Sequence, residues 1–525
     1  MSRLARLLVP IGVAVAATSP LVAQHRSTRL PAAAAIQRAA ETITATQFRD
    51  RVGVISDDSM RGRDTPSPEL EKTAVWVASE FRRIGLRPAG DQGSFIQRFQ
   101  LRRSRPDSTY AFTATGRGVT SEWRLGLDVG FVWGELPEAP TTMPVVLLAG
   151  VPADVAHPLG DVPARGAVVL HVITPDQFRG AVLNPLMGAA ITLGVGMWII
   201  VVDLPAPRFA TLAARSFQPQ WELLGRASQD SRGTPMLAAV RDSSVLAILA
   251  AAGEDLAALR TPAGQGARAL SGVTVAFAPH WVVEAEPTAP NAVGVLEGSD
   301  PALRNEAVVF VAHMDHVGVT ADGRCAAAGA DSVCNGADDN ASGTAGVIEL
   351  AEAYASLRPR PRRSIVFLGV SGEERGLFGS YHYTDHPAIP IERTVAAISL
   401  DMLSRNAPDS IVLVGNRFSS IGDVADRMAR EHPELRVTPA DDTDASGFNW
   451  QSSDHLPFAQ RDVPAAFFFA GQHPDLHRPT DSVDRADWDK AERVTRLAFY
   501  LGLDIANATG RPVWDAAARQ RIAGH

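Results

Sequence analysis

Acidic and histidine side chains form five clusters in the second half of the sequence, most of them directly after an apolar run. The clusters are His313-Met314-Asp315-His316, Asp338-Asp339, Glu373-Glu374, Asp401 and His477. Imidazole nitrogens and carboxylate oxygens, without a thiolate, suit a catalytic zinc site, and a carboxylate shared by two ions makes a two-metal site. A carboxylate outside the ligand set then has to take a proton from water and pass it to the leaving amine. The pair Glu373-Glu374 supplies one side chain for each task.

Each cluster alone has an ordinary structural explanation. An aspartate at the start of a helix is usually a cap, adjacent glutamates usually face solvent, and a single histidine is usually structural. The combination is different because Glu373 and Glu374 directly follow an apolar strand, where solubility does not require a carboxylate pair. An aspartate two residues after a ligand histidine, as Asp315 is after His313, can hold the imidazole through its other nitrogen.

The elements that position these clusters have the pattern of an α/β domain. Near-continuously apolar runs predict strands covered on both faces, as in a largely parallel sheet; they are Ala307–Ala312, Ser364–Val370, Val395–Leu400 and Ala465–Phe469. Helices are predicted at Gly343–Leu357, Val424–Glu431 and around Ala486–Ala508. Ligands of such a sheet bind outside the carboxyl ends of the strands. That edge is where we expect the clusters to meet.

Residues 106–280 have a different texture. Short apolar runs such as Val145–Leu148, separated by Gly, Pro and Asp turns, predict a β-rich unit inserted between residues 35–105 and 281–510 of a catalytic domain. The longest apolar run, Leu186–Val202, contains three glycines, so we expect a buried helix leading into a strand rather than a membrane span. The predicted fold is a three-layer α/β/α domain with a mostly parallel central sheet, interrupted by this β-rich insertion.

The N-terminal residues have the pattern of a secretory signal peptide. Arg3 and Arg6 precede the apolar stretch Leu7–Ala17, and Ala23 is a small residue at which a peptidase could cut. We expect residues 1–23 to be removed and the protein to be secreted or periplasmic.

Composition and charge restrict the classes of partner. With 46% hydrophobic and 21% charged residues, the 525-residue chain has a globular composition. Its net charge of −8 does not indicate binding to nucleic acid or to an anionic membrane. Export permits a disulfide between the two cysteines, Cys325 and Cys334, with two free surface thiols as the alternative. We expect no nucleic-acid partner and no stable membrane insertion after the leader is removed. The sequence does not indicate an oligomeric state.

The order and spacing of the clusters resemble the M28 family of co-catalytic zinc aminopeptidases and carboxypeptidases. The resemblance covers roughly Ala35–Leu101 and Trp281–Asn507, and includes the segment Asn291–Gly298. The inserted unit resembles, more weakly, the protease-associated (PA) domain that many members carry, most clearly at Asp161–Leu170. The resemblance implies a fold of the zinc-exopeptidase type, peptide substrates and two Zn²⁺ per chain. It favours aminopeptidase activity, the commoner one in the family.

Family roles carry over to single positions of this sequence. The implied zinc ligands are His313 and Asp401 on one ion, Glu374 and His477 on the other, and Asp339 between them. Glu373 matches the general base and Asp315 the residue that orients His313. The segment Ser453-Asp454-His455 matches a family motif near the site, but the match gives it no role.

Two departures and three alternatives accompany the resemblance. Some members stabilise the tetrahedral intermediate with a tyrosine where this sequence has Phe448, Asn449 and Trp450, so the donor for that task is not identified. The loop that contains the two cysteines is longer than in compact members and can shape the substrate entrance.

The alternatives are a single-zinc glutaminyl cyclase of the same fold, a non-catalytic receptor-like relative, and a different two-metal hydrolase such as a deacetylase or amidase. The intact Asn335–Gly343 segment and the complete ligand set favour the peptidase over the first two.

Overall fold

The computed structural model describes residues 30–523, apart from residues 108, 135, 137–138, 156, 179–187, 227–234, 279 and 445–446. The predicted leader, residues 1–23, lies outside the described residues. Within them, the strands form one 11-stranded and one 8-stranded sheet. Helices pack against both.

The strands, in chain order, are β1 (Arg87–Pro88), β2 (Ile96–Pro106), β3 (Ala111–Gly116), β4 (Val119–Arg124), β5 (Val129–Trp133), β6 (Thr141–Ala149), β7 (Val168–Val172), β8 (Met197–Val201), β9 (Gln220–Leu223), β10 (Met236–Val240), β11 (Gly266–Ala278), β12 (Trp281–Ala285), β13 (Thr288–Leu296), β14 (Ala307–His313), β15 (Ser364–Val370), β16 (Thr394–Asp401), β17 (Ser410–Val414), β18 (Thr438–Ala440) and β19 (Ala465–Phe469). The helices used below are α1 (Ala33–Ala40), α2 (Ala45–Ile55), α3 (Pro68–Ile84), α4 (Ala206–Arg215), α5 (Asp242–Ala252), α6 (Leu256–Leu259), α7 (Gly343–Ser356), α8 (Phe378–Asp385), α9 (Ile421–Glu431), α10 (Phe448–Gln451), α11 (Leu456–Gln460), α12 (Trp488–Asn507) and α13 (Ala516–Ala523).

The larger sheet has a parallel centre and antiparallel flanks. Its main order is β12-β2-β13-β15-β14-β16-β19-β17-β18, and the four central strands β15, β14, β16 and β19 run parallel. β13 and β17 pair antiparallel on either side of them. The predicted parallel sheet is therefore the buried centre, and the flanking strands make the complete sheet mixed.

Both faces of the parallel centre are covered, as the apolar strands predict. In β14, Val308 and Phe310 pack with α3, α7 and α12 on one face, while Val309 and Val311 pack with α8 and α11 on the other. Successive side chains of a strand point to opposite faces, so a strand buried on both sides has to be apolar throughout. The result is the predicted α/β/α layering.

The smaller sheet is built entirely from strands between residues 111 and 278. Its order is β4-β3-β11-β6-β7-β8-β10-β5, with β6, β7, β8 and β10 parallel. Strand β9 leaves this region and pairs with β2 of the larger sheet. The second half of the apolar run Leu186–Val202 contains β8, and residues 186–187 lie outside the described part. Among the described residues, no helix is both long and apolar enough to cross a membrane.

Candidate metal centre

The predicted site residues come together at the carboxyl edge of the parallel strands. His313 is the last residue of β14 and Asp401 the last of β16, while Glu373 and Glu374 begin a single helical turn two residues after β15. These strands are parallel neighbours, so their ends lie side by side. Two further loops reach the same edge, bringing Asp339 from the turn before α7 and His477 from the segment after β19.

His313, Asp339 and Asp401 form the first group of donors. The Nε2 atom of His313 lies 3.3 Å from Oδ1 of Asp401 and 3.5 Å from Oδ1 of Asp339. All three side chains are buried. We call these three residues the first donor group.

A second donor group lies on the other side of the Asp339 carboxylate. It contains Glu374 and His477, and it shares Asp339 with the first group. The Nε2 atom of His477 lies 3.3 Å from Oδ2 of Asp339 and 3.3 Å from Oε1 of Glu374. Asp339 thus presents one carboxylate oxygen to each group, which is the arrangement a bridging ligand requires.

His316 also belongs to this second donor group, although the sequence analysis assigned it no role. Its Nδ1 atom lies 3.0 Å from Oε1 of Glu374 and 3.5 Å from Oδ2 of Asp339. A histidine three positions after His313 was the available signal. The sequence pattern singled out Asp315 instead, as a residue able to hold the His313 imidazole. The strand β14 ends at His313, and the path of the chain after it brings His316 into the site.

Asp315 supports the site through contacts different from those expected. Its backbone carbonyl, not its carboxylate, is within hydrogen-bond distance of Nδ1 of His313, at 3.2 Å, while the nearest carboxylate oxygen is 3.8 Å away. The carboxylate instead accepts hydrogen bonds from the Thr65 hydroxyl at 2.9 Å and the Glu373 amide at 3.3 Å. Asp315 therefore links the His313 ring to the turn that carries Glu373.

Glu373 lies beside the first donor group without being part of either group. Its Oε2 is 3.8 Å from Nε2 of His313, and its side chain is 11% exposed. Burial raises the pKa of Glu373 well above its usual value; His313 opposes the shift and the carboxylates of Asp401 and Glu374 add to it. Because the Glu373 carboxylate belongs to neither donor group, it is available for proton transfer.

The electrostatics of the two groups fit a cation. Burial lowers the pKa of His477, but the Glu374 and Asp339 carboxylates outweigh it and raise that pKa to about 11. The strong preference for a protonated imidazole reflects the concentration of negative charge. Buried carboxylates are costly unless they are paired or bind metal. The imidazole and carboxylate donors, with no thiolate among them, suit Zn²⁺.

The segment Ser453-Asp454-His455 lies directly behind Asp401. The Ser453 hydroxyl donates to Oδ2 of Asp401 at 3.0 Å, which leaves Oδ1 facing His313. Asp454 accepts a hydrogen bond from Ser380, and His455 packs against Phe467 and Trp450. Ser453 thus fixes the orientation of the Asp401 carboxylate.

Arg63 is a supporting residue that the sequence analysis missed. Its fully buried guanidinium donates to the carbonyls of Met314 and Gly336, both at 2.7 Å, and to that of Asp339 at 3.3 Å. These carbonyls belong to the segment directly after β14, which carries His316, and to the turn that carries Asp339. Burial lowers the pKa of Arg63 to about 10, so it remains charged at neutral pH. No local sequence pattern reveals such a contact.

The two cysteines form a disulfide next to the second donor group. Cys325 and Cys334 are bonded, with their Cα atoms 5.7 Å apart. The loop they close reaches His477, because the amide of Ala326 donates to the carbonyl of His477 at 2.9 Å. The disulfide loop, residues 325–334, therefore lies against the segment that carries His477.

Comparison with known proteins finds a family match that covers these residues. Residues 291–502 match the model of Peptidase family M28. Aminopeptidase YwaD of Bacillus subtilis (strain 168) is 26% identical over 184 residues, 34% of this chain and 39% of that protein. Leupeptin-inactivating enzyme 1 of Streptomyces exfoliatus is 28% identical over 144 residues, 27% of this chain and 31% of that protein. The matches span less than two thirds of either relative.

A solved structure, the aminopeptidase from Aneurinibacillus sp. strain AM-1, aligns with 91% of this chain and 98% of its own, at 16% identity and a TM-score of 0.48. The family match contains His313, His316, Asp339, Glu373, Glu374, Asp401 and His477. Residues 291–502 of this chain are therefore similar to Peptidase family M28.

Proposed function

We propose that the chain is a two-zinc exopeptidase, of the aminopeptidase type, that hydrolyses peptide bonds. One observation carries the proposal: two groups of zinc-type donors share Asp339, and the carboxylate of Glu373 lies beside them without belonging to either. The M28 match over residues 291–502 and the two named relatives support the choice of peptides as substrates.

Different residues of the chain would bind the metal ions and transfer the proton. His313 and Asp401 would hold one zinc, Glu374 and His477 the other, and Asp339 both. Zinc in such a site acts as a Lewis acid and lowers the pKa of water. Glu373 accepts a proton from the attacking water and gives it to the leaving amine.

The residues around Glu373 keep it in place for this transfer. The Glu373 amide is held by the Asp315 carboxylate, and the hydroxyl that bonds that carboxylate, on Thr65, also accepts from the Gly372 amide at 3.0 Å. These hydrogen bonds fix the backbone of the turn that carries Glu373, whose side chain is 11% exposed. Restricting the base in this way reduces the loss of entropy in the transition state.

The proposal extends to location and to the inserted unit. The pattern of residues 1–23 and the disulfide of Cys325 with Cys334 support export to the periplasm or medium. The region of residues 106–280 would be a PA-like domain, supported by the resemblance at Asp161–Leu170. If the leader is cut after Ala23, mass spectrometry of the exported protein will find Gln24 at its N-terminus.

Metal content and a substrate panel test the function. We expect close to two zinc ions per chain and release of N-terminal residues from aminoacyl substrates. Substrates with a blocked amino terminus should be inert, whereas peptides with a blocked carboxyl terminus should be cleaved. One zinc with cyclisation of N-terminal glutamine would instead identify a cyclase, and a protein without zinc or hydrolysis would identify a binding protein.

A further inference from the structure

His316 occupies a position that the five family-derived ligands leave unexplained. Its side chain is fully buried, and its Nδ1 faces the carboxylates of Glu374 and Asp339. Its ring meets that of His477 edge to face, with the centroids 5.5 Å apart. Two imidazoles and two carboxylates therefore converge on one point.

The distances among these four donors match those around a single metal. The separations are 3.0 Å from His316 Nδ1 to Glu374 Oε1, 3.5 Å from His316 Nδ1 to Asp339 Oδ2, and 3.3 Å from His477 Nε2 to each of those oxygens. All four donor atoms lie within 4.8 Å of one another. Tetrahedral zinc with bonds of about 2.0–2.1 Å has its donors about 3.3 Å apart.

The backbone makes room for the His316 ring. Gly336 has a φ of +56°, and a Cβ at this position would lie 2.6 Å from two ring carbons of His316. A side chain there would displace the imidazole. The turn that carries Asp339 is thus shaped around His316, in the segment that also receives the hydrogen bonds of Arg63.

The first donor group has one protein donor fewer than the second. It contains His313, Asp339 and Asp401, and the next nearby carboxylate, Glu373, is the proposed base. Zinc sites with four protein donors are closed and structural, whereas catalytic sites have three and keep a position open. The two groups of this chain differ in that respect.

We propose that His316 is a fourth protein ligand of the position formed by Asp339, Glu374 and His477. That position binds its zinc more tightly and serves chiefly to anchor Asp339 and Glu374. The three-donor position at His313 exchanges its metal more readily and offers the open coordination site. This inference rests on the proposed function, because it takes both groups to be metal positions.

X-ray absorption of wild-type protein loaded with one equivalent of zinc provides the direct test. Zinc enters the tighter position first, so we expect two imidazoles per zinc. A single imidazole would overturn the inference and leave His316 as a hydrogen-bonding neighbour of Glu374. This measurement needs no variant and no catalytic assay.

Zinc titration of metal-free protein against a chromophoric chelator supplies the second test. The wild type should bind in two steps, and His316→Ala should weaken the first by at least about 100-fold, more than the loss expected for an outer hydrogen bond. His455→Ala, which removes a buried imidazole packed on Phe467 and Trp450, should retain both steps. Circular dichroism checks that each variant folds; if His316→Ala does not, the wild-type absorption spectrum decides.

The outcomes separate the two proposals. Two equal binding steps in the wild type, or an unchanged first step in folded His316→Ala, would contradict the role of His316 but leave the two-zinc peptidase intact. A wild-type protein that binds no zinc would contradict the proposed function itself.

Discussion

Arg324 contacts Glu374 from the edge of the disulfide loop. Its guanidinium donates to the backbone carbonyl of Glu374 and, at 3.1 Å, to Oε2 of the same residue. The neighbouring residue in the chain is Cys325, whose disulfide with Cys334 closes the loop. With the contact from Ala326 to His477, the loop holds two residues of the second donor group.

Removing the disulfide should therefore loosen this loop. The double variant Cys325→Ser/Cys334→Ser should lose about 2–3 kcal/mol of stability, the chain-entropy value for a loop of this length. Limited proteolysis should cut the variant within residues 325–334, several-fold faster than the wild type. Reductant should make the wild type equally sensitive and leave the variant unchanged; a variant as resistant as the oxidised wild type would show that the disulfide does not restrain the loop.

Replacing Glu373 should separate proton transfer from metal binding. Glu373→Gln keeps the shape of the side chain but cannot accept a proton, so turnover should fall by at least about 100-fold. Zinc content, measured by mass spectrometry, should stay at the wild-type level. The matched variant Glu374→Gln should lose zinc from the second donor group; wild-type turnover in Glu373→Gln would refute its role as the base.

Arg63→Met should strongly destabilise the part of the chain that carries the two donor groups. The change leaves the carbonyls of Met314, Gly336 and Asp339 without their shared donor in a buried place. Each unsatisfied buried group costs about 1–3 kcal/mol, so we expect a loss of at least about 3 kcal/mol in urea denaturation, together with weaker zinc binding. Arg61→Met, an exposed arginine on the same turn, is the control and should change stability little. Similar midpoints for the two variants would contradict this role of Arg63.

The smaller sheet should be sensitive to acid through His171. The Trp198 indole donates to Nδ1 of His171 at 3.3 Å, and Nε2 faces the Gly150 carbonyl at 2.8 Å, so both ring nitrogens are matched in the neutral form. Burial lowers the pKa of His171 from 6.5 to about 4. Between these pH values the unfolded chain takes up a proton that the folded chain does not. Stability is therefore present above pH 6.5 and falls as the pH drops, by up to about 1.4 kcal/mol per pH unit.

Thermal melting from pH 7.5 to 4.5 measures this effect by comparison with His171→Gln. The glutamine amide can donate to one partner and accept from the other but does not titrate in this range. Other acid-sensitive groups are common to both proteins, so the difference between their melting temperatures isolates His171. We expect the melting temperature of the wild type to fall relative to that of His171→Gln as the pH drops below 6.5. A constant difference would refute the prediction.

The sequence alone determined the elements and the chemical types at the site. Strands such as β14 and β15 could be predicted because burial on both faces requires an unbroken apolar run, a property of consecutive residues. Their order along the chain, with donors such as His313 and Glu374 after the strands, predicted the edge where the donors meet. The M28 resemblance was likewise confirmed over residues 291–502.

Only the tertiary structure decided which atoms face one another. His316 enters the site because the chain turns after His313. Asp315 supports the site mainly through contacts to Thr65 and Glu373. Arg63 bonds carbonyls more than 250 positions away in the chain. Such contacts depend on loop paths and side-chain rotamers, which are set by packing between distant segments and leave no periodic trace in the sequence.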